Sequence, residues 1–291
     1  MNDQIKQARE GAIAILNPSK TDLVRGLAIH KDSVVVESYS LGLMAPVDGD
    51  AIAAKFGEGA TDVEIDQLSS DMRMTRWVDE PSLLQEFEEA WEASGVTCSY
   101  QNAGEEGNDP LRLIERLARH TYVTDMAPDL MKRVVTPDDI ESAKAEGKHC
   151  RYMTGNGVPL AGDQQNVQEE LRYIRVFYQL GVRMMHLTYN RRNPIGDGCA
   201  EPANAGLSDF GKAVIREMNR VGVIIDVAHT GRQTSLDAAA LSERPVIVSH
   251  SCAAALNKHV RCKDDETIRA IIKSGGTMGI NNRNNTRKPK A

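Results

Sequence analysis

His229 and His250 stand 21 residues apart, each ending a short apolar run, Ile224-Ile225-Asp226-Val227-Ala228-His229 and Val246-Ile247-Val248-Ser249-His250. That spacing is one strand–helix–strand step, which sets both imidazoles at the C-terminal ends of neighbouring strands, where β/α enzymes keep their working groups. Neutral imidazole is a good ligand for zinc and related ions, so the pair could share one. Taken singly, each histidine reads instead as a hydrogen-bonded structural residue. Arg261 follows His250 by eleven residues. Its guanidinium could clamp a substrate carboxylate through two parallel hydrogen bonds, or form a salt bridge with Asp264 or Asp265 at the next helix start. Tyr189 ends the preceding strand and points toward the same bowl. His186, three positions earlier, should by strand alternation face away and pack against a helix.

The elements that must position these groups alternate short apolar runs with longer amphipathic stretches. β-Branched Ser33–Ser38, the weaker Gly95–Tyr100 and His149–Thr154 read as strands. Helical spacing of Leu171, Ile174, Phe177 and Tyr178 marks a helix over Val167–Leu180, followed by a strand over Val182–Tyr189. Ser208 is a candidate N-cap for a helix carrying Phe210, Val214, Ile215 and Met218. Val223–Val227, a helix near Gln233–Leu241, Pro245–Ser249, a helix over Lys263–Ser274 and a last strand Thr277–Ile280 complete the series. Continuous apolar strands imply burial on both faces, as in a parallel sheet sheathed by helices. About seven strands and no glycine-rich phosphate loop favour an α/β fold of the TIM-type β/α barrel kind, one strand short of eight. Either the chain is a shortened product or another subunit or segment covers the gap, and shortening is the reading taken. The expected organisation is one incomplete barrel domain over 1–281, with a helical lead-in over 1–30. A polar basic tail, 282–291, has too little apolar content to pack.

Composition narrows the function. Lys and Arg total 35 against 41 acidic residues, a formal charge of −6, which argues against a nucleic-acid binder, and 4% aromatics leave little for base stacking. The longest apolar runs, such as Val221–Ala228, are too short to span a bilayer, and Met1–Arg9 is too polar for a secretion signal. Five scattered cysteines without a CxxC pair read as reduced thiols, which favours the cytoplasm. The expected partner is a small molecule, not nucleic acid or membrane, and a homo-oligomer is compatible with the chain.

Longer blocks carry a resemblance. Gly206-Leu207-Ser208-Asp209-Phe210-Gly211-Lys212 through Val221-Gly222, Asp226-Val227-Ala228-His229, Leu187-Thr188-Tyr189-Asn190, Pro245 through Ser251 and Arg261-Cys262-Lys263-Asp264-Asp265 resemble the membrane (renal) dipeptidase family, the M19 metallopeptidases. The match is dense over about Arg175–Ile280 and thin before Thr154. It implies a metal-dependent hydrolase barrel that cleaves dipeptides with two zinc ions. It further implies that His229 and His250 ligate one zinc and that Arg261 holds the substrate's terminal carboxylate. Tyr189 falls where the family places a histidine that contacts substrate and oxyanion; its hydroxyl can donate a hydrogen bond but carries no positive charge at neutral pH. Upstream, Tyr39 and Ser40 occupy the first-strand ligand positions, and Asn156 that of the bridging glutamate. None is a usual zinc ligand. The family's late aspartate has no counterpart in this chain. Two imidazoles remain, with Asp226 or Glu37 as the nearby groups that could help, so one zinc or fewer is expected. Three readings follow: a zinc-dependent dipeptidase or amidase, a metal-poor tailoring enzyme acting on amino-acid derivatives, and a non-catalytic binding protein or fragment.

Overall fold

The computed structural model describes residues 2–104, 109–160, 162 and 166–281, so the expected tail at 282–291 lies outside the described residues. The chain divides into two compact units, Met1–Gln101 with Glu115–Tyr152, and Asn102–Ile114 with Met153–Ala291.

In the first unit, α1 (Asp3–Leu16) and α2 (Lys20–Asp32) start at Asn2 and Ser19, whose side chains accept a backbone N–H three residues on, and neither helix buries a residue. β1 (Val36–Ser40) begins later than its sequence pattern indicates. It pairs in parallel with β2 (Cys98–Asn102), Val36 opposite Cys98 and Glu37 opposite Ser99, then shifts register before Ser40 meets Gln101. Between them lie α3 (Gly49–Gly57), α4 (Asp62–Asp79) and α5 (Pro81–Ser94). A capping box between Thr61 and Glu64 starts α4, while proline at the first turn starts α5. Trp77 and Phe87 stack with centroids 3.8 Å apart, and with Trp91, Val123, Ala127 and Met131 they form this unit's core. α6 (Pro110–Met126) leads to β3 (Met131–Val134), a strand the sequence pattern does not reveal. Lys132 and Arg133 interrupt its apolar run, yet Met131 and Val134 are buried beside β4 (His149–Gly155). α7 (Pro137–Ala145) joins the two.

In the second unit the last residues of β4 pair with β5 (Met184–His186), Thr154 opposite Met184. β6 (Ile224–Asp226), β7 (Val246–Ser251) and β8 (Met278–Ile280) follow, each parallel to its neighbour. Their connections carry α8 (Val167–Gln179), α9 (Asp209–Val221), α10 (Arg232–Leu241) and α11 (Asp265–Lys273). α9 shows why such helices form here: Ser208 Oγ accepts from Gly211 N at 2.9 Å, Val214, Ile215 and Met218 are buried on one face, and Gly222 ends it in the left-handed region at φ 96°.

The strand path is β1-β2-β4-β5-β6-β7-β8, with β3 beside β4. Seven parallel strands in this path, returning through helices, make a TIM-type β/α barrel short of its closing strand.

Candidate metal centre

Three imidazoles converge in the second unit. His186 ends β5, His229 follows β6 by three residues, and His250 is the fifth residue of β7. Each offers a ring nitrogen, and these nitrogens lie within 4.8 Å of one another. His229 and His250 meet as their spacing predicts, Nε2 to Nε2 at 3.0 Å.

His186 corrects the sequence reading. It does not pack outward against a helix but lies fully buried, with its ring centroid 5.5 Å from that of His229 and 5.6 Å from that of His250. Strict alternation requires an extended strand from Val182 to Tyr189, but β5 ends at His186 and the chain then leaves the ladder, with Asn190 in the left-handed region at φ 61°. Counting faces backward from Tyr189 therefore inverts the outcome. A usable signal lay in the neighbouring strand: His186 stands opposite Asp226 in register, and residues opposite one another share a face.

The Nδ1 atoms define which nitrogens are available. His229 Nδ1 donates to Asn190 Oδ1 at 2.8 Å, which also accepts from the Cys199 thiol, and His186 Nδ1 donates to Gly155 O at 3.1 Å. A neutral ring has one N–H, so a neutral His229 keeps a lone pair on Nε2. His250 Nδ1 shares a hydrogen bond with Ser249 Oγ at 2.8 Å. Burial, and then the positive charge of Arg261, push the His229 imidazole far below its ordinary pKa, so it is neutral at pH 7. Asp226 is the acid at the cluster. Its Oδ1 accepts from Ala228 N and Ser249 N, at 2.9 and 3.0 Å. Its buried Oδ2 makes no hydrogen bond among the described residues, though His186 Nε2 lies 3.0 Å away. Three buried imidazoles whose ring nitrogens gather within 4.8 Å of one another, beside a buried carboxylate, supply the donor types that hold a transition-metal ion, so these residues fit one.

The loop after β5 holds this arrangement. Asn190 N and Cys199 N both donate to the His229 carbonyl, at 3.3 and 3.0 Å, and Gly198 bridges to Thr230. A Cβ on Gly198 would stand 2.2 Å from the Asn190 carbonyl carbon, so only glycine permits the approach.

Tyr189 is half-buried, its ring stacked on His229 at 3.8 Å between centroids. Arg261 donates from Nη1 to the carbonyl of Ala228, next to His229. Asp264 instead caps α11 through Thr267 N and pairs with Arg232 at 2.5 Å. Lys263 is buried, donating to Thr230 O at 2.7 Å and Ser235 Oγ at 3.1 Å, and burial followed by the Arg261 charge pushes its ammonium down to about 7. Asn156 is buried one residue beyond β4. Tyr39 and Ser40 belong to the first unit, where the β1 register shift falls, and Ser40 Oγ accepts from Gly42 N at 3.0 Å.

Parallel strands returning through helices, with histidines gathered at their C-terminal ends, define a fold of the β/α-barrel class. The sequence profile of the membrane dipeptidase family (peptidase family M19) matches residues 29–289. The chain belongs to that family. It is 32% identical over 174 residues to dipeptidase tcpJ of Claviceps purpurea (strain 20.1), an alignment covering 59% of this chain and 39% of the relative. It thus spans well under half the length of that curated relative. An amidohydrolase from Pseudomonas aeruginosa superposes with TM-score 0.64 at 26% identity, over 87% of this chain and 64% of its own. A metallopeptidase from Rhodobacter sphaeroides, bound to a phosphinate mimic of the dipeptide L-Ala-D-Ala, superposes with TM-score 0.59 at 17% identity over 70% of each chain.

Proposed function

We propose that the protein is a zinc-dependent hydrolase of peptide or amide bonds in dipeptide-like substrates, with the ion held by His229 and His250. The observation that carries this reading is the 3.0 Å approach of the two Nε2 atoms at neighbouring strand ends. A divalent ion held there supplies a lowered water pKa and the positive charge that amide hydrolysis requires. Arg261 takes the substrate carboxylate, exchanging its bond to the Ala228 carbonyl for two parallel charge-assisted ones. Tyr189, fixed by its stack on His229, donates its hydroxyl hydrogen bond to the oxygen on which charge develops. The relative from Rhodobacter sphaeroides, bound to a dipeptide mimic, points to the same substrate class. Membership of a peptidase family fits a small-molecule partner. Among the described residues, no helix is long and apolar enough to cross a membrane. Zinc as the ion and a cytoplasmic setting belong to this proposal.

The test is hydrolysis of a dipeptide panel by the full chain before chelation, after it, and after zinc is restored. Loss with chelator and recovery with zinc are expected, and His229→Ala should lose both metal and turnover. Turnover indifferent to chelator and zinc would overturn the reading. Arg261→Ala should raise KM for carboxylate-bearing dipeptides more than it lowers kcat; an unchanged KM would assign Arg261 to holding Ala228 alone.

Tyr39, Ser40 and Asn156, at positions where the family carries ligands, favour a second reading: a metal-poor tailoring enzyme, or a binding protein, for amino-acid derivatives. Its mark is ligand binding that depends on Arg261 and ignores chelator.

A further inference from the structure

We propose that His186 is the third ligand of a single-metal, three-histidine centre carried entirely by the second unit, with Asp226 as its counter-charge. This deepens the proposed function and rests on the metal site assumed there. Three observations carry it. The ligand nitrogens of His186, His229 and His250 lie within 4.8 Å of one another, in a fully or nearly fully buried cluster. Oxygens outside the cluster engage the Nδ1 atoms: the Gly155 carbonyl accepts from His186, the Asn190 amide accepts from His229, and Ser249 Oγ meets His250. These contacts hold the rings from outside and leave the Nε2 atoms of His229 and His250 facing each other at 3.0 Å, the arrangement by which outer hydrogen bonds orient metal-ligating imidazoles. Finally, the buried Asp226 carboxylate, held through Oδ1 by Ala228 N and Ser249 N, sets Oδ2 3.0 Å from His186 Nε2, so an acidic group stands beside the cluster.

Three imidazoles with one open position make up a complete catalytic ligand set. The set needs neither Tyr39 nor Ser40 nor Asn156, and it provides no bridging carboxylate for a second ion. Imidazole ligands select zinc, cobalt, nickel or copper rather than magnesium or calcium, which require oxygen donors. His186, Asp226, His229 and His250 all fall within Met153–Ala291. Departures at the first strand therefore leave this centre intact.

The experiment uses the full chain, stripped of metal and reloaded with zinc, cobalt or copper(II). Elemental analysis gives ions per chain, X-ray absorption on the zinc form and pulsed EPR on the copper form count imidazoles, and competition with a chromophoric chelator gives Kd. One ion bound by three imidazoles is expected. His186→Asn should weaken zinc binding by ~100-fold or more, beyond the 10–100-fold typical of losing an outer-shell partner. The double change Tyr39→Phe with Ser40→Ala should leave stoichiometry and Kd within about twofold of the unaltered chain. The ligand count on the unaltered chain decides the matter even if His186→Asn fails to fold. Two imidazoles, two ions per chain, or a folded His186→Asn chain that binds zinc as the parent does would overturn the third-ligand assignment. If zinc-dependent hydrolysis persists in any of those cases, the hydrolase reading stands. A folded parent chain that binds no ion overturns the centre, and hydrolysis without it would remove the zinc-dependent reading as well.

Discussion

Glu170, near the start of α8, is 3% exposed, and neither carboxylate oxygen has a hydrogen-bond partner among the described residues. Burying an unpaired acid costs free energy that an apolar side chain of similar size does not. Glu170→Leu is therefore expected to stabilise the fold by about 1–3 kcal/mol, read as a higher Tm in calorimetry. A lower Tm would mean that the acid is paired in solution. Lys263 carries a pH signature. Its folded pKa of about 7 lies below the ordinary 10.5, so between those values the unfolded chain holds a proton that the folded chain lacks. Stability contributed by this group then rises with pH from about 7 toward 10.5, because the cost of burying the ammonium disappears. Lys263→Met lacks that rise, so the Tm difference between parent and variant should move in the parent's favour between pH 7 and pH 9.5. A difference constant with pH would place the amine in water-like surroundings. At this scale the sequence identified His229, His250 and Arg261 as residues placed for chemistry, and the first two do meet. It could not place His186, whose face depends on where a three-residue strand ends.

At the scale of elements, the helices were the most legible. Ser208 caps α9 as its position indicates, and helical spacing marks Leu171, Ile174 and Phe177 of α8 and Val214, Ile215 and Met218 of α9, which are buried, while Tyr178 and Phe210 are half-buried. Short strands were less so. β3 has two charged residues in the middle of four, and it is a strand because the first half of β4 lies beside it, which no local pattern records. The loop after β5 shows how an element controls the site. Gly198→Ala would drive a Cβ into the Asn190 backbone, shift the amide that orients His229, and cost roughly 2 kcal/mol or more as an overpacked contact. Zinc affinity should fall together with Tm, by chelator competition and thermal melting. Unchanged affinity would show that Asn190 does not set the His229 tautomer.

At the scale of the molecule, stability is unevenly spread. α1 and α2 bury no residue, whereas α9 buries four and flanks the strand that leads to His229. Amides of Asp3–Asp32 should therefore exchange with solvent at least ~100-fold faster than those of α9 under native conditions. Comparable protection would require the N-terminal helices to be covered in solution, by a second copy or another segment. The sequence by itself determined the alternation of strand and helix, the family, and the presence of two imidazoles one β/α step apart. These are local properties: periodicity and caps act within a few residues, and a fixed step between parallel strands places their ends side by side. The tertiary structure alone decided that His186 joins the pair, that Asp226 stands beside it, and that Arg261 rests on the Ala228 carbonyl while Asp264 pairs with Arg232. Those outcomes depend on cross-strand register and on the path of the chain after a strand ends, and both are set by packing between segments distant in sequence.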